Sequence, residues 1–258
     1  MWIDSHCHLD FFSPPFIKEV LKCARKSQIS NIIIPSVNPE SLSRVIDIAE
    51  QDDTLFYALG FHPMYIGEID DTDLVKLSDS VKNSSPVAIG EIGIDLFARK
   101  DNIKKQEYFL ASQLEIAINF DLPVILHTRN AIDLVLKYLR RYRVKGGIAH
   151  AFNGSNQQAH QFIDLGFKLG FGGAMTYPRA KHIQRLAKEL PIESIVLETD
   201  APDMPPFWLE KTQQNQPKEL EKIGTFLAQI RGLDPHKMAK IISKNTSQAL
   251  PMLGKLCT

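Results

Sequence analysis

The sequence predicts an α/β fold of the TIM type, a (β/α)8 barrel with a C-terminal closing helix. Short apolar runs alternate with amphipathic segments along the chain, at spacings of roughly 20 to 40 residues, as repeated βα units require. Polar residues able to carry chemistry stand where these runs end. The chain has 258 residues, and barrels of this type typically take about 250. We therefore expect residues 1–258 to form a single barrel domain.

The apolar runs predict the strands, and the segments between them predict the helices. The second run contains three successive isoleucines, which is typical of a strand buried on both faces. Apolar positions in Ile103–Phe120 recur with a period near 3.6 and predict a helix, and Asn38 followed by Pro39 predicts a capped helix start. Residues 220–253 predict the last barrel helix and the closing helix. The predicted strands are Trp2–His6, Asn31–Val37, Leu55–Gly60, Val87–Glu91, Val124–His127, Gly147–His150, Phe167–Phe171 and Ile195–Thr199.

An open, doubly wound sheet is the alternative arrangement for eight βα units. That fold usually carries a glycine-rich phosphate-binding turn after its first strand. Here the first run ends in Ser5-His6-Cys7-His8, and no such turn occurs elsewhere in the sequence. The barrel is therefore favoured.

The composition limits the classes of function. Thirty basic residues balance thirty acidic ones, which disfavours a protein that holds nucleic acid through many phosphates; a nucleic-acid substrate handled locally stays open. The three cysteines indicate no disulfide framework. The sequence shows neither a leader pattern nor an apolar run long enough for a membrane helix. We expect a cytoplasmic protein, and a monomer because no feature indicates an obligate partner.

Polar side chains gather at the carboxyl ends of the predicted strands. In a barrel these ends meet at one face, where active sites lie. A chance set is disfavoured, because each buried polar group without a partner costs about 1–3 kcal/mol. Imidazole and carboxylate ligands suit zinc, manganese, nickel or iron, and carboxylate with water suits magnesium. The residues concerned are Asp4, His6, His8, His62, Glu91, His127, His150 and Asp200.

The segment His6-Cys7-His8 is the sharpest local signal. Residues two apart in a strand point to the same face, so both imidazoles are expected to point into the barrel mouth. Cys7 then faces the helices, and we interpret it as a packing residue rather than a nucleophile.

With these residues in place, the sequence resembles the TatD family of metal-dependent hydrolases, a branch of the amidohydrolase-like metallo-barrels. The matching motifs cover the chain from end to end and occur in order, which makes the resemblance highly specific. The motifs are Asp4-Ser5-His6-Cys7-His8-Leu9-Asp10, Ala58-Leu59-Gly60-Phe61-His62-Pro63, Ile89-Gly90-Glu91-Ile92-Gly93-Ile94-Asp95, Leu122-Pro123-Val124-Ile125-Leu126-His127-Thr128-Arg129, His150-Ala151-Phe152-Asn153-Gly154-Ser155 and Leu197-Glu198-Thr199-Asp200-Ala201-Pro202.

The resemblance implies two divalent cations, with zinc, magnesium and manganese as candidates, bridged by the carboxylate of Glu91. It implies a first cation held by His6, His8 and Asp200. It implies a second cation held by His127 and His150. It further implies phosphoester hydrolysis, with DNA as the best-attested substrate class and 3′–5′ exonuclease action on single-stranded ends. Some relatives are similar to deacylases of aminoacyl-tRNA.

Two carboxylates are expected to be catalytic. Two cations can share and activate a water and clamp phosphate oxygens, and Asp200 is placed to accept a proton from that water. Glu91 lies between Gly90 and Gly93, where little bulk near its backbone is expected to let metals or substrate approach.

Other residues are expected to contact substrate or to orient ligands. His62 either donates to a phosphate or leaving group or orients a ligand. Arg129 either binds a phosphate through two hydrogen bonds or forms an ion pair with Glu198. Asp95 and Glu198 are expected to orient metal ligands, and Arg99, after the fourth strand, is a candidate for steering phosphates. The remaining residues expected along the substrate cleft are Asn153, Ser155 and Tyr177.

The sequence departs from the family pattern at three places. Asn130 stands where an acidic residue usually follows, Asp203 stands where a tyrosine is usual, and Gln214 precedes Asn215 where an arginine is common. All three places are expected to flank the substrate rather than the metals, which indicates a subgroup with its own substrate.

Two further classes of function stay open beside the phosphoesterase. An amidohydrolase that cleaves a cyclic amide or ester often bridges its metals with a carbamylated lysine on the fourth strand, where this chain has Glu91. A metal-binding scaffold without catalysis is disfavoured, because every implied ligand and Asp200 are kept.

Overall fold

The computed structural model describes residues 1–98, 101–210 and 212–255, and it confirms the predicted barrel. Eight parallel strands form one sheet in chain order, and helices lie between successive strands. Arg99 lies outside the described residues. The strands are β1 (Trp2–Asp4), β2 (Ile29–Pro35), β3 (Leu55–Leu59), β4 (Ala88–Asp95), β5 (Val124–Arg129), β6 (Gly147–Ala149), β7 (Phe167–Phe171) and β8 (Ile195–Leu197).

The helices confirm the predicted helical segments. Helix α2 begins at Pro39, and Asn38 caps it by accepting a hydrogen bond from the Ser41 backbone N–H at 2.9 Å. No helix among the described residues is long and apolar enough to cross a membrane. The helices are α1 (Pro14–Lys26), α2 (Pro39–Ala49), α3 (Asp71–Asn83), α4 (Ile103–Asn119), α5 (Ile132–Tyr142), α6 (Asn156–Asp164), α7 (Lys181–Glu189), α8 (Leu220–Arg231), α9 (Pro235–Ala249) and α10 (Met252–Lys255).

The first strand is shorter than predicted. It ends at Asp4, so His6 and His8 lie in the segment after the strand. The reason is that this segment turns toward the last strand: the His8 N–H donates to the Ala201 carbonyl at 2.8 Å. Cys7 between them is fully buried, and burial raises the pKa of its thiol well above the usual range. This confirms its interpretation as a packing residue.

The barrel interior is apolar and is closed at one end by the C-terminal segment. The fully buried side chains of Ile33, Ile125 and Val196 belong to one cluster inside the ring of strands. Leu250 and Leu253, which follow α9, pack into the same cluster. Burial of this apolar surface stabilises the barrel independently of the polar residues at its mouth.

Asp4 joins the first strand to the last. Its buried carboxylate accepts hydrogen bonds from the Thr199 backbone N–H at 2.9 Å and from the Thr199 hydroxyl at 2.6 Å. Close by, the Asp200 N–H donates to the His6 carbonyl at 2.9 Å. The contacts that close the barrel therefore also fix the backbone of two candidate site residues.

We expect Thr199→Val to lower the free energy of unfolding of the metal-free protein by about 1–3 kcal/mol. The substitution keeps the volume but leaves a buried carboxylate short of a donor. Thr246→Val is the matched control, because Thr246 is equally buried and its hydroxyl donates only to a carbonyl of its own helix, that of Ile242. Urea denaturation measures both values. Equal decreases in the free energy of unfolding of the two variants would contradict the role of Asp4 in joining the first strand to the last.

Candidate metal centre

Two strands, β4 and β5, and the segments that follow β1, β6 and β8 bring the predicted metal ligands into one buried cluster at the barrel mouth. Glu91 lies at its centre and is 2% exposed. Its two carboxylate oxygens lie within 3.0–4.0 Å of nitrogens from five imidazoles. These belong to His6, His8, His62, His127 and His150.

One set of donor atoms surrounds the Oε2 oxygen of Glu91. The Nε2 atoms of His6 and His8 lie 3.2 Å apart, and they lie 3.1 and 3.5 Å from Glu91 Oε2. Asp200 Oδ1 lies 3.6 and 3.7 Å from the same two nitrogens. Ligands around a tetrahedral cation with bonds of about 2.1 Å are about 3.4 Å apart, so this set fits one divalent cation.

A second set surrounds the Oε1 oxygen of Glu91. His127 Nδ1 lies 3.0 Å from this oxygen, and His150 Nε2 lies 4.0 Å from it. His150 Nε2 also lies 3.7 Å from Asp200 Oδ2. The two carboxylates thus each present one oxygen to the first set and the other oxygen to the second.

His150 lies between the two sets rather than beside His127. The rings of His127 and His150 are 6.3 Å apart, whereas His150 stacks on His6 at 3.9 Å. Among the described residues, no three candidate donors within 4.8 Å of one another include both His127 and His150. Their implied sharing of a second cation stays a prediction.

His127 and His150 are each held by a carboxylate on the side away from Glu91. Asp95 Oδ2 lies 3.0 Å from His127 Nε2, and Glu198 Oε1 lies 3.0 Å from His150 Nδ1. Such contacts fix the tautomer and the orientation of metal-binding imidazoles. The structure therefore places Asp95 and Glu198 where the sequence predicts orienting residues.

His62 presents an N–H group to the cluster. Its Nδ1 accepts a hydrogen bond from the Met64 backbone N–H at 3.1 Å, which assigns the ring proton to Nε2. That atom lies 3.5 Å from Glu91 Oε1. Burial lowers the pKa of His62 to about 3, so the ring is neutral near pH 7. An Nε2–H group cannot bind a metal, so His62 fits a hydrogen-bond donor.

Buried carboxylates control the charge of the cluster. Burial alone would lower the pKa of His150, but Glu198 and Asp200 outweigh it and raise this pKa to about 10. Burial would raise the pKa of Glu91, but the surrounding imidazoles bring it well below its usual range. Burial raises the pKa of Asp200. A cation that binds His150 must therefore displace a proton.

Arg129 does not pair with Glu198, so that expected alternative is wrong. Glu198 instead contacts His150 and accepts a hydrogen bond from the Ala151 backbone N–H at 2.7 Å. The guanidinium of Arg129 lies over the ring of Phe97, 3.9 Å from its centroid. Arg129 remains exposed at the edge of the site.

The glycines beside Glu91 serve strand packing rather than access to metals or substrate. A Cβ atom on Gly93 would lie 1.9 Å from the His127 carbonyl oxygen, and one on Gly90 would lie 2.7 Å from Ile125 Cβ. Both contacts are with β5. The expectation that these glycines open the site was wrong, because close pairing of β4 with β5 already requires them.

A cavity of about 1050 Å³ lies over the cluster. His62, Arg129, Asn153 and Ser155 line it, as predicted. Tyr177 is not among its lining residues: its ring packs on Phe207 and its hydroxyl donates to the Pro205 carbonyl at 3.2 Å. The predicted place of Tyr177 in the cleft is therefore wrong, because the loop after β7 carries its ring onto the segment after β8.

The departures from the family pattern fall in two places. Asn130 and Asp203 line the cavity. Asn215 is buried and donates to the carbonyls of Thr199 and Asp203 at 2.9 and 2.7 Å, so it holds the loop after β8. Gln214 is exposed and lies outside the cavity lining.

Sequence reasoning missed several residues near the cluster. Asp10 is buried, and its Oδ1 lies 4.0 Å from His8 Nδ1; its place in the first motif was an available signal. Gln106 on α4 accepts a hydrogen bond from the Asp95 N–H at 2.7 Å, and no local pattern marks it. Three exposed large side chains with apolar surface also line the cavity. They are Phe11, Met64 and Tyr65.

We expect Gly170→Ala to lower the pKa of His150 from about 10 toward its ordinary value. A Cβ on Gly170 would lie 2.3 Å from Glu198 Oε2 and would displace that carboxylate. Loss of the neighbouring negative charge removes an interaction that favours the imidazolium. Titration of the metal-free protein by nuclear magnetic resonance measures this pKa.

Gly67→Ala is the matched control for this titration, because a Cβ on Gly67 meets no atom within 4 Å. We expect it to leave the titration of His150 unchanged. A folded Gly170→Ala protein in which His150 also titrates as in the unmodified chain would show that Glu198 does not control this imidazole.

Known proteins resemble the chain over nearly its whole length. A family model described as TatD related DNase matches residues 3–251. The uncharacterized metal-dependent hydrolase YjjV of Escherichia coli K12 is 38% identical over 251 residues, which cover 95% of this chain and 96% of YjjV. An uncharacterized metal-dependent hydrolase of Haemophilus influenzae is 33% identical over 258 residues, covering 96% of this chain and 98% of that protein.

Solved structures agree with these matches. The crystal structure of YjjV, described as a TatD homolog, superposes with a TM-score of 0.92 at 37% identity and covers 97% of this chain and 98% of YjjV. A TatD family hydrolase of Entamoeba histolytica superposes with a TM-score of 0.85 at 19% identity, covering 96% and 97% of the two chains, and so shares the fold. With the family model and two relatives matching almost end to end, the chain belongs to the TatD family of metal-dependent hydrolases.

Proposed function

We propose that this chain is a two-metal phosphoesterase that degrades DNA from single-stranded ends in the 3′–5′ direction. The observation that carries the proposal is the position of Glu91. Its Oε2 oxygen faces His6 and His8 at 3.1 and 3.5 Å, and its Oε1 oxygen faces His127 at 3.0 Å. A carboxylate with a separate nitrogen set at each oxygen is suited to bridge two cations.

In this proposal two divalent cations divide the donors, and of the two sets only the first contains three donors within 4.8 Å of one another. The first would be held by His6, His8 and Asp200 together with one oxygen of Glu91. The second would be held by His127 and His150 together with the other oxygen. The donor set is rich in imidazole, which favours a transition metal such as zinc or manganese over magnesium. The Nε2 atoms of His6 and His8 face Glu91 Oε2 and Asp200 Oδ1, so these ring nitrogens are the ones placed to bind the first cation.

Residues of this chain would carry the hydrolytic step around those cations. When bound, the metals supply a water nucleophile at neutral pH and neutralise charge on the phosphate. Asp200 accepts a proton from that water. His62 donates its Nε2–H to a phosphoryl oxygen or to the leaving group. Arg129, whose guanidinium lies over the ring of Phe97, binds a phosphate through two hydrogen bonds.

The description of the family model as TatD related DNase supports DNA as the substrate. The cavity of about 1050 Å³ is large enough for a terminal nucleotide. A cyclic amide is less favoured, because none of the described residues that line the cavity is a lysine able to carry a bridging carbamate. Glu91 occupies the bridging position instead.

A deacylase of aminoacyl-tRNA is the alternative on the same metal site. The acidic side chain of Asp203 lines the cavity, and a carboxylate there is suited to the ammonium group of an aminoacyl ester. One substrate panel separates the candidates: single-stranded DNA, an aryl phosphate, a cyclic amide and aminoacyl-tRNA, each with and without a chelator. Hydrolysis of aminoacyl-tRNA alone would replace the nuclease proposal.

We expect hydrolysis to stop when divalent metal is removed.

We also expect the substitution Glu91→Gln to reduce the occupancy of both cation sites. The neutral amide keeps the shape of the side chain but removes the charge that holds two cations close together. The affinity should fall at least as much as the 10–100-fold seen for residues that only orient ligands. The measurement is metal-to-protein stoichiometry by elemental analysis after mild dialysis, with circular dichroism as the folding control.

His8→Ala is the comparison for Glu91→Gln, because it removes a ligand from the first set alone. About one cation per chain should survive in this variant, held by His127, His150 and Glu91. Unchanged stoichiometry in a folded Glu91→Gln protein would exclude the bridge, and full hydrolysis after verified metal removal would exclude the metal mechanism.

We expect single-stranded DNA to bind with a shallow salt dependence. The formal net charge is zero, and Arg129 is the only lysine or arginine among the described residues that line the cavity. Arg129→Met should lower the log–log salt slope by about one, and Arg140→Met on α5, outside the cavity, should not change it. A slope as steep as that of a protein contacting 6–10 phosphates would contradict this expectation.

A further inference from the structure

Three large apolar side chains are exposed at the barrel mouth. Phe11, Met64 and Tyr65 are 44%, 41% and 42% exposed, and all three line the cavity over the cluster. We call them the aromatic wall. Apolar surface held in water is unfavourable, and exposed apolar patches rimmed by polar residues commonly mark binding sites.

The two rings of the aromatic wall lie directly beside the histidine cluster. Phe11 stacks on His8 with 4.9 Å between ring centroids and 13° between ring planes. Tyr65 meets His62 edge to face at 6.0 Å. These contacts hold the rings in place next to the position of the chemistry. Because Phe11 is 44% exposed, much of its surface remains available to a bound molecule.

A cationic side chain lies across the mouth from Phe11. The aromatic wall comes from the loops after β1 and β3, whereas Arg129 and Asn130 stand at the end of β5 and line the cavity. In a ring of eight strands in chain order, β5 lies opposite β1. The cavity therefore has exposed rings near β1 and β3 and the guanidinium of Arg129 near β5, and it lies over the cluster.

We propose that the aromatic wall binds the base of the nucleotide next to the scissile phosphodiester, while Arg129 faces the phosphates. This rests on the proposed function and names the feature of DNA that the site recognises. A flat base has a face for stacking whatever its identity, so aromatic platforms suit single-stranded ends without sequence preference. Stacking also supplies affinity that a neutral chain does not gain from phosphate contacts.

The test compares two single-stranded oligonucleotides that differ only at their last two nucleotides. One ends in two thymidines, and the other ends in two 5,6-dihydrothymidines, whose saturated rings are no longer flat. Metal-loaded wild type should prefer the thymidine end by about 5-fold to 100-fold in kcat/KM, the range that stacking of a base supplies. The double variant Phe11→Leu, Tyr65→Leu should show a preference near one.

Two further variants separate stacking from a general disturbance. Tyr65→Phe keeps a flat ring and should keep the preference. Tyr108→Leu removes an aromatic side chain that is 49% exposed on α4 and outside the cavity, and it should also keep the preference. A preference that survives in the double variant would overturn the proposal.

A binding measurement without hydrolysis gives a second readout. An oligonucleotide ending in 2-aminopurine is titrated with protein in chelator, since stacking on an aromatic ring quenches this base. Wild type and Tyr108→Leu should quench the fluorescence, and the double variant should not. If wild type hydrolyses the thymidine and the dihydrothymidine oligonucleotides equally well and does not quench 2-aminopurine fluorescence, this inference alone is overturned. Hydrolysis of neither oligonucleotide by metal-loaded wild type would overturn the proposed function and the inference together.

Discussion

A buried carboxylate surrounded by imidazoles is the interaction on which the rest of the site depends. Glu91 is 2% exposed, and a buried charge is costly unless partners compensate for it. The barrel mouth supplies them, with His127 at 3.0 Å and His6 at 3.1 Å. Two of the surrounding imidazoles are oriented in turn by further carboxylates, His127 by Asp95 and His150 by Glu198. In the site, Glu91 contacts the imidazoles, and further carboxylates fix the orientation of two of these rings.

The same contacts connect the site to the closure of the barrel. The backbone of Asp200 has a left-handed conformation, with φ of 54°, and Ala151 has one with φ of 45°. Such conformations are costly for residues other than glycine and persist only where surrounding contacts impose them. The bond from the Asp200 N–H to the His6 carbonyl and the one from the Ala151 N–H to Glu198 are such contacts. The contacts that join the first and last strands therefore also position candidate site residues.

Features set by local pattern were predictable from the sequence, and those set by the paths of loops were not. Parallel strands in a barrel carry their ends to one face, so the convergence of Glu91 with the histidines followed from the order of the runs. The place of Tyr177 depends on how the loop after β7 meets the segment after β8, which no local pattern encodes. The pairing of β4 with β5 explains Gly93 through its approach to the His127 carbonyl. This close approach depends on how the residues of β4 and β5 are aligned, which the sequence does not reveal. The sequence alone therefore suggested access to the site, rather than strand pairing, as the reason for this glycine.

The division between strand ends and loops also bears on how this family member acquires its own substrate. The candidate metal ligands stand within β4 and β5 or in the segments that directly follow β1, β6 and β8, where the fold fixes their positions. The departures Asn130 and Asp203 lie in the connections beyond those ends and line the cavity, as does the aromatic wall. Substitutions there change what touches the substrate without moving Glu91 or its partners. Since function in barrel enzymes varies through such loops, we expect the cluster around Glu91 to determine the reaction of this chain and the loops around the mouth to determine its substrate.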